Sequence, residues 1–243
     1  MRNNKKLPKY VEEELSGKDL IKFKKITLTP KQSSLFDLIR LNKIVVATGP
    51  PGTSKTFSAC YVALKLLSDF KYKKIIITKP TEIVGSSGLG ALPGTLEEKI
   101  SVYKDSFMQV FSDILDGESL KKLNDSLVIE FKPVQFMRGS TFKNCIVIVD
   151  EIQSFDIKEL MAIVTRLGSD SKFIFTGDIN QNDIDKRYVA VNIFKEILDG
   201  INDIGIFEFE RKDIVRDPIL IEITDKYDKM REEGRLTQNK KNS

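Results

Sequence analysis

The chain has 243 residues, 41% of them apolar and 30% charged, a balance that suits one α/β domain with extensions and confines disorder to the ends. With no histidine and only two cysteines, it lacks the commonest general base and cannot build a histidine-ligated zinc site or a four-thiolate metal site. The 39 basic and 35 acidic residues leave a net charge of +4, too small to require a nucleic-acid partner, and no apolar stretch is long enough to span a bilayer or act as a signal region, so a cytoplasmic, reducing setting is expected.

Residues 1–25 mix lysines with Glu12-Glu13-Glu14 and show little apolar periodicity, so they read as an N-terminal extension, either a solvated tail or a docked arm. The main domain is expected over 26–234. It opens at Thr29-Pro30-Lys31-Gln32, which supplies an N-cap, a proline at the first helical position and a glutamine three residues after the cap, predicting a helix to about Leu41. Gln32 has two competing accounts: the closing member of that capping box, or an amide that pairs with an adenine edge.

The stretch Ile44-Val45-Val46-Ala47-Thr48-Gly49-Pro50-Pro51-Gly52-Thr53-Ser54-Lys55-Thr56 reads as a buried strand, a phosphate-binding loop and the start of a helix. In a P-loop the inward-facing backbone N–H groups and the helix N-terminus converge on a polyphosphate. The expected nucleotide contacts are Gly49, Pro50, Pro51, Gly52, Thr53, Ser54, Lys55 and Thr56, with Lys55 on the β/γ-phosphates and the Thr56 hydroxyl on Mg²⁺. Ser54 stands where the pattern places glycine, which narrows the pocket or weakens the nucleotide. Cys60, on the following helix, and Cys145, beside a later strand, are expected to pack in the core.

Further along, 74–78 is a second buried strand ending in Lys79-Pro80, and 81–95 is a long polar loop. A helix is expected from the box Thr95-Leu96-Glu97-Glu98 to about Leu115, stopped by Gly117. Short extended segments at 127–131 and 134–136 flank Pro133, and Arg138-Gly139-Ser140-Thr141 is a polar turn. The apolar strand Ile146-Val147-Ile148-Val149 delivers Asp150 and Glu151 at its end, followed by a core helix over 156–167, a strand over 172–176 and the run Gly177-Asp178-Ile179-Asn180-Gln181. A helix over 189–198, a strand over 205–209 and a last helix from Asp217-Pro218 to Glu233 complete the domain. Gly234 stops that helix, and 235–243 is a C-terminal tail.

Alternating strands and helices imply a mainly parallel sheet covered by helices on both faces, with ligands at the carboxyl ends of the strands. The Gly49 loop, Lys79, Asp150-Glu151 and Gln181 all fall there. This constellation suits ATP hydrolysis: Asp150 holds Mg²⁺ with Thr56, Glu151 orients or deprotonates water, and Gln181 senses the γ-phosphate.

Taken together, Gly49-Pro50-Pro51-Gly52-Thr53-Ser54-Lys55-Thr56, Lys79-Pro80, the run 89–99, Phe136-Met137-Arg138-Gly139-Ser140-Thr141-Phe142, Asp150-Glu151-Ile152-Gln153, Thr176-Gly177-Asp178-Ile179-Asn180-Gln181 and Asp213-Ile214-Val215-Arg216 resemble the PhoH family over about 26–230. The resemblance implies a RecA-like P-loop ATPase related to superfamily 1 helicases, some of whose members carry a fused ribonuclease and are linked to RNA unwinding or processing. The region before Gln32 is too short for that nuclease, so nuclease activity is not expected. About ninety residues follow Glu151, too few for a second RecA-like domain, so a stimulating arginine would come from a neighbouring subunit. Arg216 is the first candidate finger and Arg211 the second, in a homo-oligomer that family similarity makes hexameric. Single-stranded RNA or DNA would be gripped by Lys79, Thr81, Ser86, Ser87, Arg138, Ser140 and Thr141, with Phe or Tyr stacking in the absence of Trp. A P-loop kinase acting on a small molecule and a non-hydrolysing nucleotide-dependent scaffold remain as alternative classes.

Overall fold

A computed structural model describes residues 21–80, 96–178, 186–217, 219–233 and 235, apart from 127 and 138. Six strands form one sheet in the order β3-β2-β4-β5-β1-β6, every neighbouring pair parallel. They are β1 (Ile44–Thr48), β2 (Lys74–Thr78), β3 (Ile129–Phe131), β4 (Cys145–Val149), β5 (Lys172–Gly177) and β6 (Ile204–Glu208). The helices are α1 (Pro30–Leu41), α2 (Lys55–Ser68), α3 (Leu96–Ile114), α4 (Gly117–Asp125), α5 (Ile157–Val164), α6 (Lys186–Leu198) and α7 (Ile219–Glu232).

The period-two alternation of a strand sorts the core into two halves. Val45, Ala47, Ile75, Ile77, Ile146, Ile148 and Ile174 share one half of the core with α1, α2, α3 and α4, which contribute Leu35, Ile39, Leu64, Phe107, Phe111 and Leu123. Val46, Ile76, Val147, Val149, Phe173 and Phe175 face α5 and α6 through Leu160, Ile163, Val191 and Phe194. Strands buried on both faces explain why β1 and β4 are continuous apolar runs with no polar alternation. Cys60 and Cys145 are buried in these two halves, and burial pushes the Cys145 thiol up to about 11, as suits packing residues.

Local signals mostly act as expected. Thr29 and Gln32 form the capping box of α1, with Thr29 N–H donating to Gln32 Oε1 at 2.8 Å and Gln32 N–H to Thr29 Oγ1 at 3.2 Å. Asp156 and Glu159 do the same for α5.

Two segments differ from expectation. Gly117 is the first residue of α4, because Asp116 turns the chain by accepting from Ser119 N–H at 2.8 Å. The segment Val134–Phe136 is one 3-10 turn, not an extended piece: Met137 N–H closes on Val134 O at 3.0 Å, and this buries Val134 and Met137 together. Residues 21–25 dock along the α3–α4 junction, where Lys24 N–H donates to Ile114 O at 2.9 Å and Asp116 N–H to Lys22 O at 3.1 Å. The expected loop 81–95, the cap at Thr95, Pro218, Gly234 and the tail from 236 lie outside the described residues.

Candidate active site

Because every strand is parallel, the loops after β1, β2, β4 and β5 leave the same edge of the sheet. The chain after β1 is the P-loop. Lys55 folds back across it, its Nζ donating to Gly49 O and Pro50 O at 2.7 Å each and to Thr53 Oγ1 at 3.3 Å. The Thr53 hydroxyl donates to Pro50 O at 2.8 Å and is fully buried, so it braces the loop from inside. Burial lowers the Lys55 ammonium from its ordinary value; Asp178, Glu151 and Asp150 oppose that shift, and Arg216 adds to it. Pro51 and Gly52 form the turn at the tip of the loop. Ser54 takes a left-handed conformation, φ 63° and ψ 30°, at the position where the motif places glycine.

Asp150 directly follows β4 and is nearly enclosed. Its Oδ1 accepts from Thr176 Oγ1 at 2.6 Å and from Thr56 Oγ1 at 3.0 Å, which ties the ends of β4 and β5 to the start of α2. Burial pushes its carboxyl above the ordinary carboxylate range, the Thr176 hydroxyl opposes this and Glu151 adds to it. Thr56 and Asp150 thus place two oxygens side by side beneath the loop, the donor set a hard cation takes. Among the described residues no group of three or more His, Cys, Asp or Glu is arranged to hold a metal ion. Mg²⁺ uses one or two carboxylates and fills its remaining positions with substrate phosphate and water, so the pair Asp150 and Thr56 suits it.

Glu151 follows in the left-handed region, φ 58° and ψ 45°, a strained backbone that sets its side chain apart from that of Asp150. Two partners fix it. Lys79, after β2, lies 3.4 Å from Oε1, and Gln153 Nε2 donates to Oε2 at 2.5 Å. Gln153 Oε1 in turn accepts from Asp178 N–H at 2.9 Å, which orients the amide and joins the carboxylate to the end of β5. Gly177 lets this crossing come close: a Cβ there would sit 2.5 Å from Ile152 Cγ1 and 2.8 Å from Gln153 Oε1, so a larger residue would displace those side chains.

The structure therefore gathers Lys55, Thr56, Asp150 and Glu151 at one edge. Gln181 lies outside the described residues, although β5, which leads toward it, does pair with β4. Gln32 is buried and its Oε1 is engaged in the capping box, so the accepting half of the expected contact with an adenine edge is already taken. Arg211 is bound to Asp225 on α7. Arg216 lies beside the P-loop of its own chain, where a Cβ on Gly52 would be 3.3 Å from Arg216 Cδ. Of the loop residues expected to grip nucleic acid, Thr81, Ser86, Ser87 and Arg138 are not among those described. Ser140 and Thr141 lead into Phe142, whose N–H donates to Arg166 O, at the edge where β4 and β5 begin and away from the P-loop. Two supporting residues were missed as site members. Both stand in runs that carry the family resemblance, but spacing alone gives neither a role: Thr176 reads as a strand-end threonine and Gln153 as a polar residue after Glu151.

A parallel sheet with a P-loop after one strand, an Asp-Glu pair after a second and a single strand between them defines an α/β P-loop NTPase of the RecA-like type. A model described as PhoH-like protein matches residues 25–228, and the chain belongs to the PhoH family. It is 37% identical over 192 residues to the PhoH-like protein of Bacillus subtilis (strain 168), a match covering 79% of this chain and 60% of that one. It is 36% identical over 220 residues to the PhoH-like protein of Mycobacterium tuberculosis (strain ATCC 25618 / H37Rv), covering 89% of this chain and 62% of that one. The chain thus spans about three-fifths of the length of these curated relatives. Among solved structures, the UvsW helicase from bacteriophage T4 aligns with a TM-score of 0.47 and 14% identity, over 84% of this chain and 69% of that one. Among the described residues no helix is long and apolar enough to cross a membrane.

Proposed function

We propose that the chain is an Mg²⁺-dependent ATPase whose turnover is coupled to single-stranded RNA or DNA within a homo-oligomer in the cytoplasm. The observation that carries the reading is the tie of Asp150 to both Thr56 and Thr176, with Glu151 held separately by Lys79 and Gln153. One carboxylate is directed toward a cation beneath the P-loop, and the other is held apart and positioned to act on water. Lys55 exchanges its loop carbonyls for the β/γ-phosphates, and the loop N–H groups of Gly49, Gly52, Thr53 and Ser54 cradle the rest, with Pro50 and Pro51, which have no N–H, shaping the turn between them. Thr56 and Asp150 hold the Mg²⁺, which when bound neutralises charge across the phosphates. Glu151 orients or deprotonates the attacking water, and Gln181 reports the γ-phosphate. A carboxylate held for water favours hydrolysis over phosphoryl transfer to a small-molecule acceptor.

The test is phosphate release by the purified protein with and without single-stranded RNA or DNA at two salt concentrations. Lys55→Ala and Glu151→Gln are expected to lose turnover by about a hundredfold or more, and strand-dependent stimulation is expected to fall as salt rises. Turnover by Lys55→Ala equal to that of the parent would defeat the reading. The strained Ser54 favours one second reading, a nucleotide-dependent scaffold, which would bind ATP without releasing phosphate even when a strand is present.

A further inference from the structure

Arg216 is delivered to the P-loop by its own backbone. The chain leaving β6 follows the loop closely: Phe209 N–H donates to Thr48 O at 2.8 Å, and after the 3-10 turn Arg211–Asp213, Val215 N–H donates to Gly52 O at 3.1 Å. Gly52 adopts φ +85°, and a Cβ there would lie 3.3 Å from both Arg216 Cδ and Ile214 Cγ2, so this crossing packs directly on the loop. Among the described residues Arg216 forms no ion pair. Its neighbour Asp217 accepts from Ile219 N–H at 3.0 Å to open α7, and Arg211 is the arginine bound to Asp225. The Arg216 charge is felt at Lys55, whose ammonium it destabilises further. Two cations facing one Gly/Pro loop repel each other until an anion enters between them.

We infer that Arg216 serves the P-loop of its own chain, where it joins Lys55 on the terminal phosphate of a bound nucleoside triphosphate instead of completing the site of a neighbouring subunit. The inference rests on the nucleotide-binding reading above and adds to it a cis phosphate contact that distinguishes triphosphate from diphosphate. The backbone bond from Val215 to Gly52 holds the arginine in register with the loop, and no second copy of the chain is needed to place it. Because Arg216 immediately precedes the cap of α7, loss of the terminal phosphate releases the contact nearest the start of that helix.

Two measurements test this. Fluorescent ADP and a non-hydrolysable ATP analogue are titrated into wild type, Arg216→Ala and Arg216→Lys. Because Arg216 is exposed, the substitutions are not expected to disturb the core, and a thermal melt checks this. Arg216→Ala is expected to bind ADP within twofold of wild type and the triphosphate analogue at least tenfold more weakly, with Arg216→Lys in between. In the second measurement, Lys55→Ala and Arg216→Ala proteins are mixed and assayed for phosphate release. An arginine acting in cis leaves every site in the mixture defective, whereas an arginine acting in trans lets Lys55→Ala subunits complete the sites of their Arg216→Ala neighbours. Turnover restored by mixing, or an Arg216→Ala protein that binds both nucleotides as wild type does, overturns the inference and leaves the P-loop reading standing. Wild type that binds neither nucleotide defeats both.

Discussion

Ser54 adopts a backbone conformation that costs an L-residue about 1 to 2 kcal/mol, in the loop that must approach phosphate most closely. Glycine removes that strain but adds freedom to the unfolded chain, so Ser54→Gly is expected to stabilise the protein by about 1 kcal/mol net or slightly less. Thermal unfolding measures the gain, and nucleotide affinity should rise with it; a lower melting temperature would mean that the serine hydroxyl contributes more than its backbone costs. Gln153 is the other residue whose role is specific. It links Glu151 to the backbone of Asp178, and a hydrogen bond to a charged group contributes roughly 1.5 to 3 kcal/mol. Gln153→Ala should therefore lower kcat about tenfold or more while leaving the affinity for nucleotide unchanged, because Lys55 and Thr56 keep their positions. A parallel loss of affinity would show that Gln153 supports the whole pocket and not Glu151 alone.

At the level of the element, legibility in the sequence depended on how local the determinant was. The box at Thr29 and Gln32 lies within four residues, and it closed as its spacing required. The 3-10 turn at Val134–Phe136 did not show, because it forms to bury Val134 with Met137 against β4 and β5, a contact that the proline-flanked run does not display. Gln153 is given no role by its spacing for the same reason, and Arg216, legible as a candidate finger, reads as completing a neighbour's site because its contact with its own P-loop is not local. Their positions depend on Gly177 accepting a close approach and on Val215 bonding to Gly52, both between segments far apart in the chain. Gln32 allows an experiment on its two accounts. Gln32→Ala removes half of the capping box and is expected to cost about 1 kcal/mol of stability in a denaturant titration. The preference of the same variant for ATP over GTP, measured alongside, reports whether the Nε2 amide also reads the base; an unchanged stability would mean that the box contributes nothing to α1.

For the whole molecule, the parallel sheet was readable because strands buried on both faces leave unbroken apolar runs, and the gathering of Lys55, Thr56, Asp150 and Glu151 was readable because such a sheet collects its loops at one edge. The opposite edge carries a feature that no motif announces. Lys172 opens β5 fully within the protein, where its Nζ donates to Ile39 O and Asn42 O at the end of α1. Burial pulls its pKa down to about 8, against an ordinary value of 10.5, with Asp203 opposing the shift. Between pH 8 and 10.5 the unfolded chain therefore holds a proton that the folded chain has released, so the contribution of this group to stability rises with pH across that window and its penalty is fully present below it. The slope reaches about 1.4 kcal/mol per pH unit for one proton. Cys145, raised to about 11, and Tyr103, raised to about 12, act in the opposite direction at alkaline pH, so the absolute curve mixes several groups. The difference between wild type and Lys172→Met removes those shared contributions. Urea unfolding of the two proteins at pH 8 and pH 10 should show wild type gaining about 2 kcal/mol relative to the variant. A constant difference would mean that the two helix-end carbonyls keep Lys172 charged throughout, and that the C-terminus of α1 pairs with the buried ammonium strongly enough to offset its desolvation.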